Sequence, residues 1–404
     1  LEKLLRKRSS SHEEVFRTYK EITSPGVARL AIQTIRNLLH HMAIVQRKDE
    51  HSMHRYMAIV NDMNTAGIDL TRSEWAAAVH FVGRGSHRGT DIDVADALHL
   101  WREMEQDAGI VSTHAHFNIL FDIATKAGKY ALAEMILQEI NRRQLPVNRY
   151  LRLSYLYYQG LRRDGNAVRA AYKDLVDVGH VVNTAALNTL ISALILAHEP
   201  HAAELVFARM KRLHASKTLS HPPRVSWRDA RSLSKLLAAA FKHTAKDSEL
   251  RGRMQEIVSI APDAITFKLL VKHHATTSGD IDRVAALLDE MQAAHFPLDV
   301  SIFHHLFRGF GLHGGIRYSA WTRFRLENTW DAYLAAVEHH VKGFDEFKLS
   351  IVVLVLGAYK KCAKSERVVE VWREMRKRWE PGKEEVEAVY ARVGRTVARW
   401  LDDG

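Results

Sequence analysis

Three consecutive stretches of this chain keep one register of 35 residues without a gap. Leu120, Tyr155 and Leu190 share a column, as do Ala133, Val168 and Ala203. Leu137, Tyr172 and Phe207 form another, Ile140, Leu175 and Met210 a fourth, and Asn148, Asn183 and Thr218 a fifth. Each column keeps one character: large and apolar in three, small and apolar in one, small and polar in the last. A fixed period of this length belongs to stacked supersecondary units, each touching its neighbours, and not to a globule around one central pocket. The expected surface is extended, which favours binding over catalysis.

Within a unit the apolar residues fall twice at helical spacing. In 114–148, Phe117, Leu120, Phe121 and Ala124 make one stripe, and Ala131, Ala133, Ile136, Leu137 and Ile140 the next. Between them Lys126-Ala127-Gly128-Lys129 is a turn in which Gly128 supplies a positive φ, and Pro146 ends the second helix. Neither helix can bury its stripe alone, so each pair must stack on the next. The fold class is therefore all-α, an α-solenoid of stacked antiparallel helix pairs.

Outside the three regular repeats of 114–218 the register survives with insertions. Residues 27–113 read as two N-terminal helix-pair repeats, the second with an inter-helix loop from Gly83 to Thr90. Residues 1–26 read as the remnant of an upstream repeat, with Glu13 to Ile22 as the second helix of a pair whose first helix is absent. Residues 219–225, with Pro222 and Pro223, are expected to be a linker. Residues 226–381 hold a looser pair at Trp227–Ile260, a unit at Ala264–Asp299, one from Val300 with a long Gly- and Arg-rich loop at 309–325, and a regular one from Leu349 to Glu380. Residues 382–404 are expected to close the array as a charged capping helix, which repeat arrays need for solubility.

The formal net charge of +11, with a pI near 9.6, favours a polyanionic partner. Cys362 is the only cysteine, which excludes an intramolecular disulfide and a cysteine zinc cluster. The longest apolar run, Ile351 to Leu356, is too short to span a bilayer. The chain opens on Leu1, and its basic, apolar start supports no targeting assignment.

Phe117-Asn118-Ile119-Leu120-Phe121 with Lys126-Ala127-Gly128, and Leu187-Asn188-Thr189-Leu190-Ile191 with Ala203, Phe207 and Met210, resemble the pentatricopeptide repeat. So do Phe267, Leu269, Leu270 and Glu290-Met291 with Phe296-Pro297-Leu298-Asp299, and the helix ends Trp101-Arg102-Glu103-Met104 and Trp372-Arg373-Glu374-Met375. The tetratricopeptide repeat has a similar period but would place a small residue where this chain has Phe121, Leu156 and Ile191. A protein-binding adaptor of that type is thereby disfavoured.

The resemblance implies a right-handed solenoid whose first helices line one concave face and read single-stranded RNA at one base per unit. An amide suits the task because it carries a donor and an acceptor in one plane. By family position the base-reading pairs are Asn118 with Asn148, and Asn188 with Thr218, a pattern the family associates with pyrimidines. The unit between them pairs Leu153 with Asn183, and Leu153 cannot hydrogen-bond a base. Arg149, Arg152, Lys268, Arg84, Arg88, Arg317, Arg323 and Arg325 are the phosphate-contact residues expected from charge. The resemblance also implies action in the mitochondrial matrix, in mRNA or rRNA stability, processing or translation. The alternative is a structural subunit or assembly factor that binds rRNA and mitochondrial ribosomal proteins.

No catalytic, cofactor or metal site is expected. The adjacent pairs His40-His41, His273-His274, His304-His305 and His339-His340 point about 100° apart on a helix and make no two-ligand face. The Gly-rich runs from Gly83 and Gly309 follow no strand and lack a terminal Gly-Lys-Ser/Thr. No small-molecule substrate is expected either.

Overall fold

The computed structural model describes residues 1–7, 10–22, 24–46, 48–85, 89–216, 226–339, 341, 344 and 347–393. Thr218, Arg88, His340, the expected linker 219–225 and the last part of the expected capping helix, 394–404, lie outside the described residues. The described residues are helical, without a strand. The first half holds α1 (Glu2–Arg6), α2 (His12–Lys20), α3 (Ile32–Ala43), α4 (Glu50–Thr65), α5 (Arg72–Val82), α6 (Asp91–Arg102), α7 (His114–Lys126), α8 (Tyr130–Arg142), α9 (Arg149–Leu161) and α10 (Gly165–Asp177). There follow α11 (Thr184–Leu196), α12 (Pro200–Ala215), α13 (Trp227–Thr244), α14 (Ser248–Ile257), α15 (Ala264–His273) and α16 (Ile281–Ala293). The chain continues through α17 (Val300–His313), α18 (Arg323–Glu338), α19 (Leu349–Cys362), α20 (Ser365–Arg376) and α21 (Lys383–Val393).

Two compact units share these helices. One comprises 1–181 with 225–255, the other 182–224 with 256–404. In the first unit α5 packs on α7 and α7 on α9, with α6, α8 and α10 each against its own partner. In the second α11, α15, α17 and α19 follow one another in the same way. The bulky column that set the repeat type is fully buried at Phe121, Leu156 and Ile191. Ala133, Val168 and Ala203 face it from the second helices with no exposed surface, so the two helices of a pair close on a large residue from one side and a small one from the other. Tyr155 departs from its column and is 37% exposed.

The turns repeat as strictly as the cores. Gly128, Arg163 and His198 all have left-handed φ, and so do Gly109, Gln144 and Gly179. Both sets step by 35 residues. Glycine takes this conformation without a Cβ clash, whereas Arg163, His198 and Gln144 take it at a cost of about 1–2 kcal/mol each. The packed helices on either side hold them there. Four first helices, α9, α11, α15 and α17, also start on a side-chain cap: Asn148, Asn183, Asp263 and Asp299 accept from the backbone N–H three residues on, satisfying a donor the helix leaves orphaned.

Two expectations are corrected. The pair at Trp227–Ile260 is not a stacked repeat, because α15 packs directly on α11 and α13 groups with the first unit. Ion pairs mark the direct stacking: Glu204 of α12 meets Arg283 of α16 at 2.7 Å and His274 at 2.9 Å, and Lys211 meets Glu290 at 2.7 Å. The loop at 309–325 is also shorter than expected. Gly309 and Gly311 lie within α17, and only 314–322 connects it to α18. A Cβ on Gly309 would lie 2.4 Å from the Trp321 ring and 2.6 Å from the Ala275 carbonyl. Its glycine therefore serves close packing inside a helix; it does not make a loop.

Similar ion pairs step from repeat to repeat, among them Glu105–Arg143 at 2.6 Å and Glu338–Arg378 at 2.7 Å. Exposed pairs of this kind contribute about 0–1 kcal/mol each, so they set register more than stability.

Replacing Phe121 by alanine is expected to destabilise the first unit by about 3–5 kcal/mol, read as a lower urea midpoint. Burial would raise the Glu204 carboxyl, but His274 and Arg283 hold it down at about 2, against an ordinary 4.5. A depressed acid stabilises the fold above its unfolded pKa and loses that contribution as pH falls from about 4.5 towards 2. Glu204→Gln should therefore cost about 1–3 kcal/mol at neutral pH and flatten the loss of stability in acid, both followed by thermal melts.

Candidate nucleic-acid interface

In four repeats the fifth residue of the first helix reaches the start of the next first helix. Asn118, fifth in α7, donates from Nδ2 to Asn148 Oδ1 at 2.9 Å, and the same oxygen caps Leu151 N–H at 3.0 Å. Asn188, fifth in α11, donates to Asp263 Oδ1 at 3.0 Å and accepts from Thr266 Oγ1 at 2.6 Å. Lys268, fifth in α15, pairs with Asp299. Arg36, fifth in α3, donates to Glu74 at 2.6 Å, and Glu74 closes the capping box of Thr71. Burial alone would raise the Asp299 carboxyl, but Lys268, Ser301 and the Ile302 N–H hold it below the usual range.

One column pair therefore does double duty. It caps a helix and ties that helix to the preceding repeat. Asn118 and Asn148 are brought together as the sequence implied. Asn188 is brought to Asp263, because the direct stacking of α15 on α11 puts Asp263 where Thr218 was expected. Asp263 and Arg36 were not singled out from sequence, although Asp263-Ala264-Ile265-Thr266 is a readable capping box. What hid it was the intervening insertion, which breaks the 35-residue count.

The two amides differ in availability. Asn188 is 6% exposed, and both of its polar atoms are engaged. Asn118 is half-buried, and its Oδ1 is buried without a hydrogen-bond partner. A buried acceptor left unpaired costs about 1–3 kcal/mol, so the Asn118 carbonyl is the polar atom of these two amides whose pairing is left open. Asn183 is buried as the cap of α11.

The expected phosphate contacts fare unevenly. Arg149 is 2% exposed and donates to the Val181 carbonyl at 2.6 Å, so it is part of the core and not a surface contact. Arg152 pairs with Asp174, and Lys268 with Asp299. Arg325 meets Asp282 at 2.8 Å, Arg323 meets Glu327 at 3.3 Å, and Arg84 lies 3.5 Å from Asp122. Arg317 is exposed and lies over the Tyr318 ring at 4.9 Å, on the connection between α17 and α18. Charge in the sequence predicted basic residues without showing that neighbouring repeats would supply their acids.

Among the described residues, no group of three His, Cys, Asp or Glu side chains could hold a metal ion, and no helix is long and apolar enough to cross a membrane.

The bridges predict a split in stability. Asn188→Ala removes two side-chain bonds at a buried position, to Asp263 and from Thr266, and should cost about 1–3 kcal/mol. Asn118→Ala removes one bond while Asn148 keeps its cap, and should cost about 1 kcal/mol or less. Guanidinium titration of both variants reads the difference.

Residues 185–214 match the family model described as "PPR repeat". No curated protein matches in sequence. Among solved structures, the pentatricopeptide repeat protein PPR10 in complex with an 18-nt psaJ RNA element aligns at 14% identity with a TM-score of 0.37, covering 98% of this chain and 54% of that one. PPR10 from maize aligns at 14% identity with a TM-score of 0.32, covering 91% and 50%. The chain thus spans about half the length of the solved proteins it matches. The matched stretch is the α11–α12 pair, and its side-chain cap and left-handed turn recur at 35-residue steps in the α9–α10 pair before it. Residues 185–214 thus carry a pentatricopeptide repeat.

Proposed function

We propose that this protein binds single-stranded RNA along the first helices of its repeats, and that it acts in mitochondrial gene expression. The observation that carries the reading is the bridge from the fifth residue to the next cap, above all Asn118 with Asn148. Those two amides lie at the family's base-reading positions, and the Asn118 carbonyl oxygen lacks a partner within the protein. An amide offering an acceptor beside a donor suits the Watson–Crick edge of a pyrimidine. The net charge of +11 supplies attraction that does not depend on base identity.

A second reading has its own support. Leu153 interrupts the amide column, and Arg152, Lys268 and Arg325 are engaged with acids. A scaffold within a larger particle, such as the mitochondrial ribosome, would need shape and a few free cations in place of a continuous code. Arg317 beside the exposed Tyr318 would serve such a contact, with a cation for phosphate and a ring for stacking.

Fluorescence anisotropy with single-base oligonucleotides separates the two. Base reading predicts a pyrimidine preference that Asn118→Ala relaxes, with a loss of about 1–3 kcal/mol on the preferred oligonucleotide. Scaffolding predicts no preference, indifference to Asn118→Ala, and a uniform weakening with a shallower salt slope on Arg317→Ala. Failure of any oligonucleotide to bind would remove both.

A further inference from the structure

The inserted helix α13 lies against the first unit, and its length matches a path across the first helices. Eighteen residues span about 27 Å. Four neighbouring first helices at about 8–10 Å spacing cover a similar distance. At the leading end of α13, Trp227 and Arg228 line a cavity of about 640 Å³ with His12, Asp49, His51 and Arg55, at the turn into α4. At the trailing end the Phe241 ring stacks on His180 at 3.8 Å, just beyond α10. There Gly179 admits the helix: a Cβ on it would meet the Ala245 Cα at 2.9 Å.

The docking is thin and its charges conflict. Leu237 is the one hydrophobic side chain among the described residues of α13 that is fully buried, at 3% exposure, while Leu236 is 61% exposed. Arg228, Arg231 and Lys235 lie on the exposed side or edge of the helix. The surface beneath is basic as well. Lys48 of the α3–α4 turn is pushed down to about 8 by burial and by Arg231 and Arg84, with Asp122 the opposing acid. Burial, Lys48, Arg84, Lys126 and Arg231 hold His80 of α5 well below the ordinary histidine range. A few apolar contacts thus hold a cationic helix on a cationic face. The stack itself does not require it, since α15 packs on α11 without it.

We propose that α13 is a displaceable strap over the first helices of the first unit, and that RNA and α13 compete for that face. This inference rests on the RNA reading above. The approach of α13 at Gly179 and His180 leaves no room for a stacked base between helix and surface, so the geometry is one of competition and not of clamping. A polyanion arriving there would neutralise the basic face and relieve the like-charge contact with Arg231.

The test compares the full chain with Leu237→Asp/Phe241→Asp, which releases the strap, and with Arg231→Glu, which tightens it against Lys48. Hydrogen exchange over 227–244 verifies release or tightening, and circular dichroism verifies that the stack is intact. The probes are single-stranded oligouridylate and oligocytidylate of about 20 nucleotides. Competition predicts about tenfold tighter binding by the released variant and weaker binding by Arg231→Glu, since apparent affinity scales with the open fraction. Weaker binding by both variants would mean that α13 grips RNA and would overturn the strap. Unchanged binding by a verified released variant would overturn it too, while leaving the RNA reading in place. Absence of binding by wild type and variants alike would remove the RNA reading and the strap together.

Discussion

The bridge between a first helix and the cap of the next one carries the register on which the rest of the structure depends. Burial of the apolar stripes drives the stacking, but burial is non-directional and would tolerate a slipped repeat. The contacts of Asn118 with Asn148, Asn188 with Asp263, and Lys268 with Asp299 do not. Each fixes one particular residue against the start of one particular helix. A slip would leave both a cap and its partner unpaired.

That constraint explains how an insertion can be carried without loss of the stack. The bridge depends on which helix comes next in space, not in sequence. Asp263 caps α15 and meets Asn188 as Asn148 caps α9 and meets Asn118. The 35-residue count breaks at α13 and α14, while the chemistry of the joint persists. For the base reading proposed above, the same economy creates a conflict. A residue fully used in the joint, such as Asn188, has less to give to a base than Asn118, whose oxygen is unpaired.

Much of this was legible in the sequence. The apolar columns gave the helix pairs, and the buried Phe121, Leu156 and Ile191 confirm the packing those columns required. Asn118 and Asn148 were legible because both lie inside the uninterrupted register. Asp263 was not, because periodicity cannot tell which of two following helix pairs will stack. The left-handed turns at Arg163, His198 and Gln144 were hidden for a different reason. Gly128, Gly109 and Gly179 advertise the conformation in their columns, whereas at the other positions packing that sequence does not display holds it. Arg149 looked like a surface cation from its charge, yet a carbonyl acceptor at Val181 draws it into the core.

Crosslinking shows whether RNA lies along the first helices, as proposed. Oligonucleotides carrying 4-thiouridine would be irradiated on the full chain and the modified peptides mapped by mass spectrometry. RNA on the first helices would leave crosslinks on α7, with Asn118 among the labelled residues, and on α11 and α15. Crosslinks confined to the second helices α8, α12 and α16, or to the connection at 314–322, would contradict it.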